Sequence, residues 1–387
     1  MPIVMVYLAS TLHLSIGQVG LVSAVYSICS SISQPLFGYW ADRWGGRWFA
    51  SGGLAWMSIF QGLIGFVPDY TTLLIVAPLA GFGSAAFHPQ GASGASHASG
   101  DRKTAGMAIF LLGGNGGFAF GPLIAAGILG LLGLHGTAVM ALFGLAIAPV
   151  LFALQGQTKH SHGGTAPARS GARIERNAAF TRWSIIALVL VMSLRAWVQS
   201  AVSFYAPLFF TSVAGFSVSL ASQLSFVILL MLAIGSLAGG FAADRIGGRT
   251  VMIVSFLISA PVTFVMFSLH DERAFLVAPL LGFMAGAAWP PTIVLAQELF
   301  PKNAAVASGL ALGFTFAMGG LGTGLTGYLA EPERLGLANS LLLLSATPIL
   351  AAVCTLGLPS HKAVAKAATA AREANKGGAV LGEAAGR

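Results

Sequence analysis

Charge is the scarcest thing in this 387-residue chain: Asp, Glu, Lys and Arg make up 8% of it, against 56% hydrophobic residues. Soluble domains carry about 25% charged residues, and no water-facing surface can be assembled from a third of that. Cysteine is almost missing too. Cys29 and Cys354 both fall within apolar stretches, which excludes a disulfide framework and metal-ligand spacing and leaves them as small core residues. Paired carboxylates within a span are lacking, as is a nucleophile beside a base, so a membrane-embedded enzyme finds no support; His160 and His162 form too slight a pattern to reverse this. No cofactor and no metal are called for. The apolar amino terminus has no Lys or Arg ahead of it and no cleavage-site pattern, so it is not a signal peptide. Nor do the apolar stretches show the alternating, roughly ten-residue pattern of a membrane barrel.

What the chain does contain is a succession of apolar stretches of the length a helix needs to cross about 30 Å of hydrocarbon. With strands excluded, helices satisfy every backbone group within the segment. Spans are predicted over residues 17–39, 48–67, 71–97, 104–130, 136–155, 183–210, 218–242, 250–269, 273–300, 303–330 and 335–358. The piece from Met1 to Leu12 is helical in character but covers only ~18 Å at 1.5 Å per residue, half a span. The fold class is therefore an all-α membrane protein with eleven full spans and a short first helix.

The formal charge of +8 does not point to nucleic acid, because the 20 Lys and Arg form no basic domain. Taking the half-span as the first helix, 17 of the 20 fall on one side: those in the loops around Arg43, Arg102, Arg245 and Lys302, those between Lys159 and Arg182, and those of the tail. Arg273 and Arg334 sit opposite, each beside acidic residues, and Arg195 alone lies within a span. The positive-inside rule makes the crowded side, with both termini, cytoplasmic. Residues 1–155 then form one half, 156–182 a polar cytoplasmic linker, 183–358 a second half and 359–387 a cytoplasmic tail.

The chain also repeats itself. Gly38, Asp42, Arg43, Gly45, Gly46 and Arg47 recur as Gly240, Asp244, Arg245, Gly247, Gly248 and Arg249, an offset of 202. At the same offset Ala85–Pro89 matches Ala287–Pro291. Two matches at one spacing make the halves repeats, and an even number of helices in each makes them parallel ones. In the turn, glycines permit a very short connection, Asp42 and Asp244 can favour a neighbouring helix amino terminus, and the arginines hold it among the headgroups. A gate and a bare topology anchor both fit. At this offset Met1 corresponds to Ser203, so the counterpart of residues 181–202 is missing and the natural start is expected upstream.

The doubled G-x-x-x-D-R-x-G-x-R pattern resembles the loop signature of the major facilitator superfamily, and the resemblance extends over essentially the whole chain. More narrowly, Ala86–Gly91, Arg195–Trp197 and Ala296–Pro301 resemble the fosmidomycin-resistance branch. The resemblance implies two six-helix halves in a bacterial inner membrane, acting as a monomer on a small molecule. It also implies that the first, fourth, seventh and tenth helices surround a cavity, and that the activity is export of a small phosphonate in exchange for protons.

Gly113, Gly117, Gly121 and Pro122 form a G-x3-G-x3-GP run that resembles the signature of proton-driven antiporters; its spacing stacks the glycines on one face, where another backbone can approach. Arg195 stands near mid-span, where an unpaired charge costs ~2.5–3.5 kcal/mol even on mild scales. No carboxylate lies near the membrane centre to pair with it, leaving an anionic substrate, a missing residue or backbone carbonyls. Gln199, one turn on, adds a donor, and Trp197 is a second substrate-site residue. His88, well inside a span, either takes the coupled proton or satisfies a carbonyl freed by Pro89. Glu298 is either a proton relay or a structural or gating ion pair.

Overall fold

The computed structural model describes residues 1–98, 103–157, 181–299 and 304–360. Among these, the chain runs through α1 (Pro2–Thr11), α2 (Ile16–Ile32), α3 (Gln34–Trp44), α4 (Gly46–Leu63), α5 (Tyr70–Ala98), α6 (Lys103–Leu132) and α7 (Gly136–Gln157). It resumes as α8 (Arg182–Ser212), α9 (Val218–Ile246), α10 (Gly248–Ser268), α11 (Ala274–Ala287), α12 (Trp289–Leu299), α13 (Ala304–Leu329), α14 (Gly336–Leu344) and α15 (Thr347–Leu356). No strand occurs among the described residues.

Within the described residues each of the eleven stretches read as spans is helical, but three that read as continuous are broken, for a reason proline supplies. A proline has no N–H for the carbonyl four residues back and crowds it. Pro35 restarts the chain as α3 after the Ser33 hydroxyl has turned back onto the Cys29 carbonyl. Pro290 and Pro291, two together, separate α11 from α12. Pro348 opens α15, with Ser345 and Ala346 between it and α14. Single prolines at positions 78, 89, 122, 149, 207, 261 and 279 are absorbed without a break.

By length and apolarity nine stretches of the described residues can each cross a membrane; one of these, Gly113–Gln155, is two helices on either side of a turn at Gly133–His135. Side chains such as Leu131, Leu276 and Trp183 are 87%, 80% and 78% exposed. Such a surface is tolerable in lipid and not in water.

Two packing features position the site. Helix α2 lies along α13 through small residues: a Cβ placed on Gly20 would stand 3.0 Å from the Gly327 Cα, and one on Gly324 2.9 Å from the Ala24 Cβ. Only small side chains let two backbones approach so closely. Helix α1 is wedged against α8 and α6, with Ile3, Met5 and Leu8 each at most 2% exposed.

Candidate functional site

The two copies of the repeated turn have one geometry. Gly45 joins α3 to α4 as a single residue at φ 100°, ψ 119°, and Gly247 joins α9 to α10 in the same way at φ 89°, ψ 136°. In each, the glycine N–H returns to the carbonyl four residues back at 2.9 Å, and its own carbonyl accepts the N–H three residues on at 3.1 Å. An L side chain rarely adopts this backbone, so glycine is what makes the one-residue connection possible. The arginine after each turn reaches the end of a neighbouring helix: Arg47 lies over the Phe152 ring near the end of α7, 4.6 Å from its centre, and Arg249 donates to the Leu356 carbonyl of α15 at 2.6 Å. Arg43 lies over Tyr39 at 5.2 Å. Asp244 and Arg245 are exposed, and α10 begins on Gly247 with no side-chain cap. The Asp42 side chain lies outside the described residues. Gly38 and Gly240 are not tightly packed: a Cβ on Gly38 would meet no described atom within 4 Å, and one on Gly240 only Pro290 at 3.9 Å.

Arg195 is the chemical centre of the second half. It sits at the middle of α8 and is only 4% exposed. Its Nη1 donates to the Gln199 Oε1 at 2.6 Å, as the one-turn spacing predicts, and its guanidinium stands 5.5 Å over the Trp289 ring. Nε and Nη2 are buried with no partner among the described residues. Arg195 also lines a cavity of about 30 Å³ formed by α8, α9, α10, α11 and α15. None of the lining residues is acidic. The polar ones besides Arg195 are Gln199, Ser203, Ser259 and Thr263, and the last two were not singled out in the sequence because a hydroxyl in a span is commonplace.

The other predicted residues are dispersed. Trp197 is on a different side of α8 from Arg195: its indole N–H donates to the Thr326 Oγ1 of α13 at 2.8 Å, and it does not line the cavity. His88 lies on α5, exposed, with its ring at the edge of Phe87. It has no hydrogen bond among the described residues, and so does not satisfy the carbonyl freed by Pro89. Helical spacing puts it on the face of Gly81 and Ser84, which packs on α2 through a Ser30–Ser84 hydroxyl contact of 3.2 Å. It is not among the cavity's lining residues. Glu298 is in the last turn of α12, and its side chain lies outside the described residues. The glycine face of α6 is open, since a Cβ on Gly113, Gly117 or Gly121 would meet no described atom within 4 Å.

One long-range contact had no sequence signal. Glu331, just beyond α13, accepts hydrogen bonds at one oxygen from the Ser15 hydroxyl at 2.5 Å and from the Gly17 N–H at 2.9 Å. Ser15 is the N-cap of α2 and holds a capping box with Gln18. The carboxylate thus sits on the positive end of a helix from the other side of the chain, 316 positions away. This clamp ties the start of α2 to the end of α13.

An all-helical, lipid-facing protein with duplicated one-residue turns and a lone cation buried at mid-span is a membrane transporter rather than an enzyme. The chain belongs to the major facilitator superfamily, whose family model matches residues 1–239 and 222–383. It is 31% identical over 360 residues to the fosmidomycin resistance protein of Escherichia coli (strain K12), covering 92% of this chain and 87% of that one. It is equally similar, 31% over 362 residues, to an uncharacterised transporter of the superfamily from Bacillus subtilis (strain 168). Among solved structures, a bacterial homologue of the human lysosomal transporter Spinster superposes with a TM-score of 0.76 at 17% identity, covering 92% of each chain. The nucleoside transporter NupG superposes with 0.70 at 16%, covering 91% of this chain and 92% of that one. At these identities the two structures share the fold alone.

Proposed function

We propose that this transporter is a proton-coupled antiporter of the bacterial inner membrane that exports small anionic compounds, working as a monomer with both termini in the cytoplasm. The observation that carries the reading is Arg195: a guanidinium 4% exposed, with two N–H-bearing nitrogens unpartnered among the described residues and no carboxylate among the residues lining the cavity beside it. Such a charge needs a partner of opposite sign, and a substrate can supply it. Its planar fork suits a carboxylate or phosphonate, with Gln199 holding one arm in place. The likeness to a fosmidomycin resistance protein supports export and a phosphonate-like head group.

Residues 1–155 and 183–358 are the two moving halves, joined by 156–182, with 359–387 a cytoplasmic tail. His88 takes the exchanged proton from an exposed position on α5, with Glu298 on α12 as the alternative carrier. The open glycine face around Gly113, Gly117 and Gly121 gives α6 room to move against its neighbours. Transport then alternates between the face closed by Glu331 and the face bearing the two glycine turns.

Cells that express the protein, challenged with radiolabelled phosphonates and small carboxylates, are expected to accumulate less of a transported compound than cells with empty vector. The difference should vanish when the proton gradient is collapsed. Raised accumulation would make the protein an uptake system and overturn the proposed direction.

A further inference from the structure

The cavity beside Arg195 has a composition that selects its occupant. The polar side chains that line it are Arg195, Gln199, Ser203, Ser259 and Thr263, each of which carries a donor and none of which is a carboxylate. Gln199 spends its carbonyl oxygen on Arg195, which leaves its amide N–H groups. Thr263 is fully buried, and its Oγ1, like the two arginine nitrogens, has no partner among the described residues. A buried donor without a partner costs about 1–3 kcal/mol, and more when it is charged. Water would satisfy the donors and leave the charge; an anion does both.

Size narrows the class. Pockets that hold drug-sized ligands measure roughly 300–1,000 Å³, whereas this cavity of about 30 Å³ accommodates one or two particles of water size. The remaining wall is apolar, with Val198, Ile228, Phe256 and Leu281 facing the same space. Such a wall disfavours a second charge and a large hydration shell.

We propose that this cavity is a binding site for a small monovalent inorganic anion of the halide class, held by Arg195 and Thr263 inside the second half of the protein. The site rests on the reading of Arg195 as an anion receptor and adds to it. The inorganic anion neutralises the guanidinium between transport events, and a substrate's anionic group must displace it. The lining comes from α8–α11 and α15 alone, so the ion stays with these helices while other parts of the protein move past them.

The test uses the purified full-length protein in detergent, with gluconate replaced by chloride or bromide at constant ionic strength. Chloride is expected to raise the thermal unfolding midpoint saturably, and bromide to quench tryptophan fluorescence through Trp289, which stacks on the same guanidinium. Trp289→Phe should remove the saturable part of the quenching, Arg195→Gln should abolish both saturable responses, and Thr263→Val should weaken halide binding at least tenfold while the protein remains folded. Equal halide responses in wild type, Arg195→Gln and Thr263→Val would overturn the site. A small phosphonate is then added as competitor. Halide binding that needs Arg195 but ignores the phosphonate supports the inorganic site and removes Arg195 as the substrate receptor. Phosphonate binding that needs Arg195, with no response to halide, sinks the inorganic site and leaves the transport reading standing.

Discussion

Removing the Glu331 carboxylate should unlatch the end of the molecule where α2 meets α13. One oxygen of Glu331 takes the Ser15 hydroxyl at 2.5 Å and the Gly17 N–H at 2.9 Å. Hydrogen bonds to a charged group contribute about 1.5–3 kcal/mol each, and the amino-terminal dipole of a helix adds up to about 1 kcal/mol. Glu331 is half-buried, so solvent screening brings the whole clamp to roughly 2 kcal/mol. In a two-state equilibrium between closed and open ends, that is about a 30-fold change in the open population. The probe is Ser27→Cys, whose position packs against Gly320 of α13, 12 residues and ~18 Å further along the helix than Ser15. Cys29 and Cys354 are first replaced by alanine. With an impermeant maleimide applied to whole cells, Glu331→Ala should accelerate labelling of the thiol at position 27 by one order of magnitude or more. Glu331→Gln, which keeps an acceptor without the charge, should fall between. Glu333→Ala is the control, removing a nearby exposed acid with no part in the clamp. Labelling rates that agree within twofold among wild type, Glu331→Ala and Glu333→Ala would refute the clamp.

Gly247→Ala forces a side chain into the φ 89° turn and should destabilise the protein by about 1–3 kcal/mol. Gly240→Ala, in the same signature but with room for a Cβ, should change stability by less than about 0.5 kcal/mol; equal losses in thermal unfolding would show that the backbone conformation is not the reason for the glycine. For topology, a cysteine replacing His270 should react with an impermeant reagent added outside the cell and one replacing Thr165 should not, and the reverse pattern would invert the orientation.

The helices were legible because each had to be apolar for a full membrane thickness, and the duplicated turns because a one-residue connection demands glycine. The breaks at Ser33, Ala288 and Ser345 were not: single prolines at seven other positions are absorbed, so proline alone does not announce a break. Arg195 stood out as the lone cation in an apolar span, and its bond to Gln199 followed from helical spacing. Trp197 was expected at the substrate site because it lies near Arg195 in sequence, yet two residues along a helix turn a side chain by roughly 200°, and its indole N–H meets Thr326. Glu331 read as one of several loop acids beside Arg334. Its importance depends on Ser15 and Gly17, more than 300 positions away, and nothing local in either segment records that meeting.

Whether Arg195 receives the transported anion is decided by gradient-driven flux of a small phosphonate in proteoliposomes containing wild type, Arg195→Lys or Arg195→Gln, each first shown to be folded. Lysine keeps the charge but loses the planar fork, and glutamine loses both. Flux is expected to fall at least tenfold with lysine and to background with glutamine. Wild-type flux in Arg195→Gln would contradict it.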